Sequence, residues 1–81
     1  MSRPIYIIAK EIAQDWLKVN FAARPYLEAM FDLHTMEDMY YADSAPSIVA
    51  YFLGNAQSWH DDTARRIKAE LNEMLKEVYK S

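Results

Sequence analysis

Apolar residues recur at intervals of three and four over the first part of the chain. Polar residues such as Lys10 and Glu11 fall between them, on what would be the opposite side of a helix. The pattern predicts an amphipathic helix from about residue 4 to residue 18, with Pro4 in its first turn and Ser2 as its cap. The predicted buried face consists of Ile5, Ile8, Ile12 and Trp16, flanked by Ala9 and Ala13.

A second, shorter helix is predicted to begin at Pro25, after the connector "NFAARP". Its apolar side would carry Tyr26, Leu27, Met30 and Leu33. The following stretch, "EDMYYADSAP", is polar but rich in aromatic residues, and it is predicted to be a loop with at most one turn of helix.

The segment "PSIVAYFLGNA" has no charged side chain and is apolar on nearly every side. A helix of this kind is usually buried, so we expect it to be the central helix of the fold. Ser44 is a suitable N-cap and Pro46 suits the first turn. Gly54 is expected to mark either the helix end or a close approach of two backbones.

The stretch "SWHDDTARRIKAEL" predicts the start of a fourth helix. Ser58 and Asp61 have the spacing of an approximate capping box, and Asp61 and Asp62 could pair with Arg65 and Arg66 at i,i+4. The buried stripe would consist of Ala64, Ile67, Leu71, Met74, Leu75 and Val78.

Composition supports helices. The chain has a single glycine and no cysteine, which disfavours a turn-rich β fold and excludes disulfides and thiolate zinc sites. The predicted fold is therefore all-α, a compact single domain over residues 1–81 with about four helices and a buried apolar third helix. The apolar run "PIYIIA" is too short for a signal-peptide core or a membrane span, so we expect a soluble, cytoplasmic protein with no membrane contact.

Charge is unevenly distributed, although the net charge is only -3. No Lys or Arg lies between Pro25 and Ala64. Seven carboxylates lie in that interval: Glu28, Asp32, Glu37, Asp38, Asp43, Asp61 and Asp62. This acidic middle is the most unusual feature of the chain.

Four stretches in order resemble a family of small uncharacterised all-helical proteins encoded by phages, prophages and mobile elements of gut-type bacteria. They are "PIYIIAKEI" with "DW", "PYLEAM", "SIVAYFLGNAQSWH" and "TARRIKAELNEML". The resemblance implies an origin on a mobile element and an intracellular life, but it supplies no catalytic motif and no binding residues.

Motifs for catalysis are weak. His60-Asp61 is similar to the metal pair of HD-type phosphohydrolases, but that chemistry needs further ligands and the only other histidine is His34. The acidic loop lacks the ligand spacing and turn glycine of an EF-hand. No nucleophile motif or phosphate-binding loop is present. We therefore expect a protein that is not an enzyme and has no catalytic residues, metal site or cofactor.

The loop between the second and third helices is the candidate interaction surface. It combines Tyr and Met side chains, which are common in interfaces, with carboxylates that suit a basic partner. The predicted function is a non-enzymatic module that binds or inhibits a bacterial host protein. The candidate residues are Glu37, Asp38, Met39, Tyr40, Tyr41 and Asp43. Equally, these side chains could fill the core beneath the loop.

The alternative function is a small helix-turn-helix DNA-binding regulator. The fourth helix would present Arg65, Arg66 and Lys68 to phosphates. Asp61 and Asp62 precede them and would repel phosphate. The chain is also acidic overall, with a pI of about 5.2. The oligomeric state is not predicted.

Overall fold

Four helices and one two-stranded hairpin make up the regular structure of residues 3–80, the residues that this computed structural model describes. The elements in order are α1 (Ile5–Asp15), α2 (Arg24–Met30), β1 (Met39–Tyr40), β2 (Asp43–Ser44), α3 (Ala45–Gly54) and α4 (Asp62–Lys80). The chain is mostly helical, as predicted. The all-α expectation is wrong between α2 and α3, where the predicted irregular loop contains the hairpin.

Helix α1 begins at Ile5, and Pro4 lies immediately before it rather than inside its first turn. The predicted cap, Ser2, lies outside the described residues. Backbone carbonyls from a distant loop bind the first amides instead. The Ile5 N–H donates to the carbonyl of His34 at 2.9 Å, and the next amide donates to that of Leu33 at 2.9 Å. The loop after α2 therefore supplies the partners that helix-start amides require.

Helix α1 ends at Asp15, about one turn earlier than predicted. The backbone of Trp16 leaves the helix with φ -95° and ψ 84°. Its indole stacks on that of Trp59, with ring centroids 5.6 Å apart and planes 6° from parallel. Phe52 meets the Trp16 ring edge-on at 6.1 Å. The apolar spacing through Trp16 thus reports burial correctly, although the residue lies beyond the helix end.

Helix α2 has Pro25 in its first turn, as predicted. Leu27 and Met30 are buried, and Tyr26 is half-buried. Leu33 is also buried, but it lies beyond the helix end, in the segment that binds the start of α1. The apolar side was therefore predicted correctly, over a helix longer than the one observed.

Helix α3 has the predicted start. The Ser44 hydroxyl accepts a hydrogen bond from the Ser47 N–H at 3.3 Å, and Pro46 lies in the first turn. The expectation of burial on all sides is wrong, because Tyr51 is 56% exposed. Gly54 ends the helix, but a Cβ added there would meet nothing within 4 Å, so close backbone approach does not explain it.

Helix α4 is capped by Asp61 rather than by Ser58. The Asp61 carboxylate accepts a hydrogen bond from the Ala64 N–H at 2.8 Å, whereas Ser58 is exposed and contacts Asn20 at 3.4 Å. The predicted buried stripe is confirmed: Ala64, Ile67, Leu71, Met74 and Leu75 are buried, and Val78 is half-buried.

The core lies where the helices meet. Helix α1 packs against α2 and α4, and α3 packs against the same two helices. The largest side chains that are fully buried there are Phe52, Ile5, Ile8, Ile12, Met30, Leu33, Ile67, Leu71 and Val49. This arrangement leaves the hairpin at the start of α3 and the α1–α2 loop (residues 16–23) beside its end.

Candidate interaction surface

The hairpin joins two strands of two residues each through the shortest common connection. Met39 pairs with Ser44 and Tyr40 with Asp43, so Tyr41 and Ala42 form the turn. Tyr41 has φ 56°, the only positive φ at a non-glycine residue within residues 3–80. This left-handed backbone costs an L-residue with a side chain roughly 1–2 kcal/mol, which is why glycine or asparagine usually occupies such turns. A bulky tyrosine is therefore held at the tip against its backbone preference.

Four of the six predicted contact residues point to solvent. Tyr41 is 89% exposed and Met39 is 59% exposed, and Glu37 and Asp43 are also exposed. No Lys or Arg of the described chain forms an ion pair with either carboxylate. We call Glu37, Met39, Tyr41 and Asp43 the hairpin surface. It presents one aromatic ring and one thioether beside unpaired negative charge.

The other two predicted residues support the hairpin. Tyr40 is half-buried and packs against the core, and its ring meets that of Tyr41 edge-on at 4.8 Å. The Asp38 carboxylate accepts the backbone N–H of His34 at 2.7 Å and that of Thr35 at 3.2 Å. These two amides, that of His34 first, lower the pKa of Asp38 below its usual range. Four of the six side chains are thus exposed and available for a partner, and two support the fold of the loop. The sequence had left contact and core packing open for all six.

A cleft of about 620 Å³ lies next to Glu37 and was not predicted from the sequence. It is open to solvent and joins residues from three separate segments: the chain start, the 34–37 turn and the end of α4. Its lining consists of Arg3, Pro4, His34, Thr35, Met36, Glu37, Met74, Glu77 and Val78. Local periodicity carries no signal for such a site, because its walls meet only in the folded chain.

Arg3 lines this cleft and is held in place by hydrogen bonds to two carboxylates. Its guanidinium forms a fork with the Glu70 carboxylate, at 3.0 Å from Nε and 2.7 Å from Nη2, and its Nη1 binds Glu11 at 2.9 Å. The Glu70 hydrogen bond, and then that of Glu11, raises the pKa of Arg3 despite partial burial. These bonds tie the chain start to α1 and α4.

The three basic residues proposed for DNA contact all have partners inside the chain. Arg65 pairs with Asp62 at i,i+3, 2.5 Å apart, and Arg66 pairs with Glu11 of α1, so the predicted i,i+4 pairs with Asp61 and Asp62 are wrong. Lys68 donates to the carbonyl of Ala56 at 2.7 Å and also to that of Trp59. The connector between α3 and α4 runs over residues 55–61, longer than the 3–4-residue turn typical of a helix-turn-helix.

The stretch "SWHDD" is organised around Trp59, whose burial the sequence did not reveal. The Trp59 ring is buried, and its indole N–H donates to Asp15 at 2.8 Å. This hydrogen bond is the largest single influence on the pKa of Asp15 and lowers it, but the interaction with the Asp61 carboxylate and desolvation together raise it, so the net shift is upward. The pKa of Asp61 is lowered, first by the Ala64 amide and then by Asp15.

His60 is exposed and no cluster of three or more potential metal ligands occurs among residues 3–80. Within that same range, no helix combines the length and apolar character needed to cross a membrane.

Comparisons with protein-family models, curated proteins and solved structures found no match to this chain. The resemblance to proteins of phages and mobile elements therefore stays a prediction.

Proposed function

We propose that this chain is a non-enzymatic protein-interaction module of phage or mobile-element origin. It binds or inhibits a bacterial host protein in the cytoplasm through the hairpin surface. The observation that best supports this function is made at the hairpin tip, where Tyr41 is 89% exposed in a two-residue turn and has φ 56°.

Strain at an exposed position supports a role in binding. A buried tyrosine could offset an unfavourable backbone through packing, but Tyr41 gains little beyond its edge contact with Tyr40. Backbone strain of this kind concentrates at functional sites, where a fixed geometry matters. Tyrosine also supplies a large, rigid contact area with few rotatable bonds.

Charge specifies the kind of partner. Glu37 and Asp43 flank the exposed Met39 and Tyr41 on a segment without any basic residue. A host surface with an apolar pocket and a lysine or arginine rim would complement this arrangement, and the charges would also speed association. The host protein is proposed to have this chemistry.

A pull-down from bacterial lysate tests the proposal. The baits are the wild type, Tyr41→Ala and Tyr79→Ala. Tyr79 is a matched control, because it is 69% exposed and lies on α4. We expect a host protein that is retained by the wild type and by Tyr79→Ala, and lost by Tyr41→Ala. Binding of the purified host protein should then weaken with added salt and on Glu37→Lys. A protein retained equally by all three baits would contradict the proposal.

No contact among residues 3–80 favours the DNA-binding alternative. Arg66 and Lys68 are engaged by Glu11 and by backbone carbonyls, and freeing them for phosphate would break contacts that join α4 to its neighbours. The alternative predicts salt-sensitive binding to duplex DNA that Arg65→Ala weakens. A gel-shift assay at low salt tests it directly.

A further inference from the structure

The α1–α2 loop holds two large apolar side chains in solvent. Phe21 is 92% exposed and Leu17 is 83% exposed. The loop is fixed by Asn20, whose Nδ2 donates to the Asn55 carbonyl at 2.8 Å and whose Oδ1 accepts the Ala23 N–H at 2.8 Å. Large apolar side chains exposed on a loop that is anchored in this way indicate a contact surface.

The charge of this loop is opposite to that of the hairpin surface. Lys18 lies between the two apolar residues and Arg24 follows them, and no carboxylate forms an ion pair with either cation among residues 3–80. The chain from Trp16 to Leu27 contains no acidic residue. We call Leu17, Lys18, Phe21 and Arg24 the loop surface.

Helix α3 separates the two surfaces. The hairpin runs directly into the helix at Ala45, whereas Asn20 attaches the loop to Asn55, immediately after the helix ends at Gly54. Ten residues of α-helix span about 15 Å. The hairpin surface therefore presents apolar residues with unpaired negative charge, and the loop surface, at the other end of α3, presents apolar residues with unpaired positive charge. The two ends of one molecule cannot meet.

We propose that the chain associates with itself head to tail, with the loop surface of one copy on the hairpin surface of the next. The partner is a second copy, because the two surfaces carry opposite charges and both expose apolar side chains. Such a contact is heterologous, because it joins two different surfaces. A row of copies therefore keeps a free hairpin surface at one end and a free loop surface at the other, so it grows into longer chains or closes into a ring. The contact is small, which makes the association weak and reversible.

Two variants separate head-to-tail association from any other kind. The loop variant carries Lys18→Glu and Phe21→Ser. The hairpin variant carries Tyr41→Ser and Asp43→Asn. Each variant retains one intact surface, so neither can grow alone, but the loop variant's hairpin can still bind the hairpin variant's loop. Tyr79→Ser serves as the control for loss of an exposed aromatic residue.

Sedimentation velocity over about 10 µM to 1 mM protein measures the association, since contacts this small have dissociation constants toward the upper part of that range. We expect the wild type and Tyr79→Ser to form species larger than dimers, with at least about tenfold weaker association at 0.5 M salt than at about 0.05 M. Each surface variant alone should be monomeric. Their equimolar mixture should form a dimer and nothing larger. Circular dichroism confirms that all variants are folded.

Other outcomes would overturn the proposal. A wild type that is monomeric throughout the range excludes self-association, and a mixture of the two variants that stays monomeric excludes head-to-tail pairing. If a monomeric wild type cosediments with phosphatidylglycerol vesicles and Phe21→Ser does not, the loop is a lipid contact instead.

This inference does not depend on a host partner. The loop variant keeps the hairpin surface and should still retain the host protein in the pull-down, so failure of either proposal leaves the other testable.

Discussion

Replacing Tyr41 should separate the backbone strain of the hairpin tip from the value of its ring. Tyr41→Ala and Tyr41→Gly both remove the ring and its edge contact with Tyr40. They differ in the backbone: alanine at φ 56° keeps the strain, whereas glycine relieves it.

The magnitude follows from two opposing terms. A left-handed conformation costs a residue with a Cβ roughly 1–2 kcal/mol. Glycine increases the entropy of the unfolded chain, which costs roughly 0.4–1 kcal/mol relative to alanine. Tyr41→Gly should therefore be more stable than Tyr41→Ala by about 0.5–1 kcal/mol. For a domain of this size, that difference corresponds to a melting temperature higher by about 2–8 °C.

Urea unfolding at neutral pH measures the difference, with Ala42→Gly as the matched control. Ala42 is the other turn residue and does not have positive φ, so glycine there should destabilise the fold by about 0.4–1 kcal/mol. The sign of the glycine effect should thus reverse between adjacent residues. If Tyr41→Gly is no more stable than Tyr41→Ala, the strain argument fails, and with it the main support for a binding role of Tyr41.

Three further predictions concern contacts outside the hairpin. Trp59→Ala should destabilise the fold by about 3–5 kcal/mol, a large share of the stability of a domain this size. Trp59→Phe should lose less stability, because only the hydrogen bond to Asp15 and part of the stack on Trp16 disappear. Urea unfolding ranks the two variants, and equal losses would contradict the packing role of Trp59. Ser58→Ala should change the free energy of unfolding by less than about 0.5 kcal/mol. Asp61→Ala should lower the free energy of unfolding by more, because Asp61 caps α4. The reverse order in urea unfolding would favour the predicted capping box at Ser58. Glu11 has a lowered pKa because Arg66 and Arg3 bind its carboxylate, so its stabilising contribution is present above pH 4.5 and is lost as the pH falls below that value. The unfolding midpoint should therefore fall less between neutral and acidic pH in Glu11→Gln than in the wild type. An equal fall in both proteins would contradict this.

Helices α1 and α4 and their buried faces were predictable because each repeats an apolar spacing over several turns, whereas α3 was predicted from an uncharged apolar run that does not show which side is exposed. The α4 stripe is the clearest case, since its residues through Leu75 are buried as the period requires. Helix ends were harder to predict. Trp16 and Trp59 continue an apolar pattern or lie near a capping signal, but both leave the helices to stack on each other. That stacking is a long-range contact, which local spacing does not encode.

The hairpin could not be predicted from its residues. Each strand has only two residues, too few to show an alternating pattern, and the turn Tyr41-Ala42 contains neither glycine nor asparagine. Composition did identify the acidic Tyr/Met segment as unusual. It could not show that Asp38 serves the turn while Glu37 and Asp43 remain exposed, because that division depends on the path of the backbone.

The α1–α2 loop and the ion pairs were missed for a related reason. Phe21 follows the end of the first apolar period, and nothing in its neighbours distinguishes an exposed phenylalanine from a buried one. Arg66 had an obvious local partner four residues away, yet it binds Glu11, since packing of α1 on α4 brings that carboxylate closer.

The stacked indoles determine what spectroscopy can observe in this protein. Trp16 and Trp59 are the only tryptophans of the chain, and their nearly parallel rings lie close enough for their excited states to couple. Their emission will therefore behave as one signal. It reports the docking of the α1 end against the residues before α4, which are 44 positions apart at the Asp15–Trp59 bond. The hairpin lies at the other end of α3, so events at Tyr41 will be nearly silent in tryptophan fluorescence, and binding there requires a probe placed on the hairpin itself.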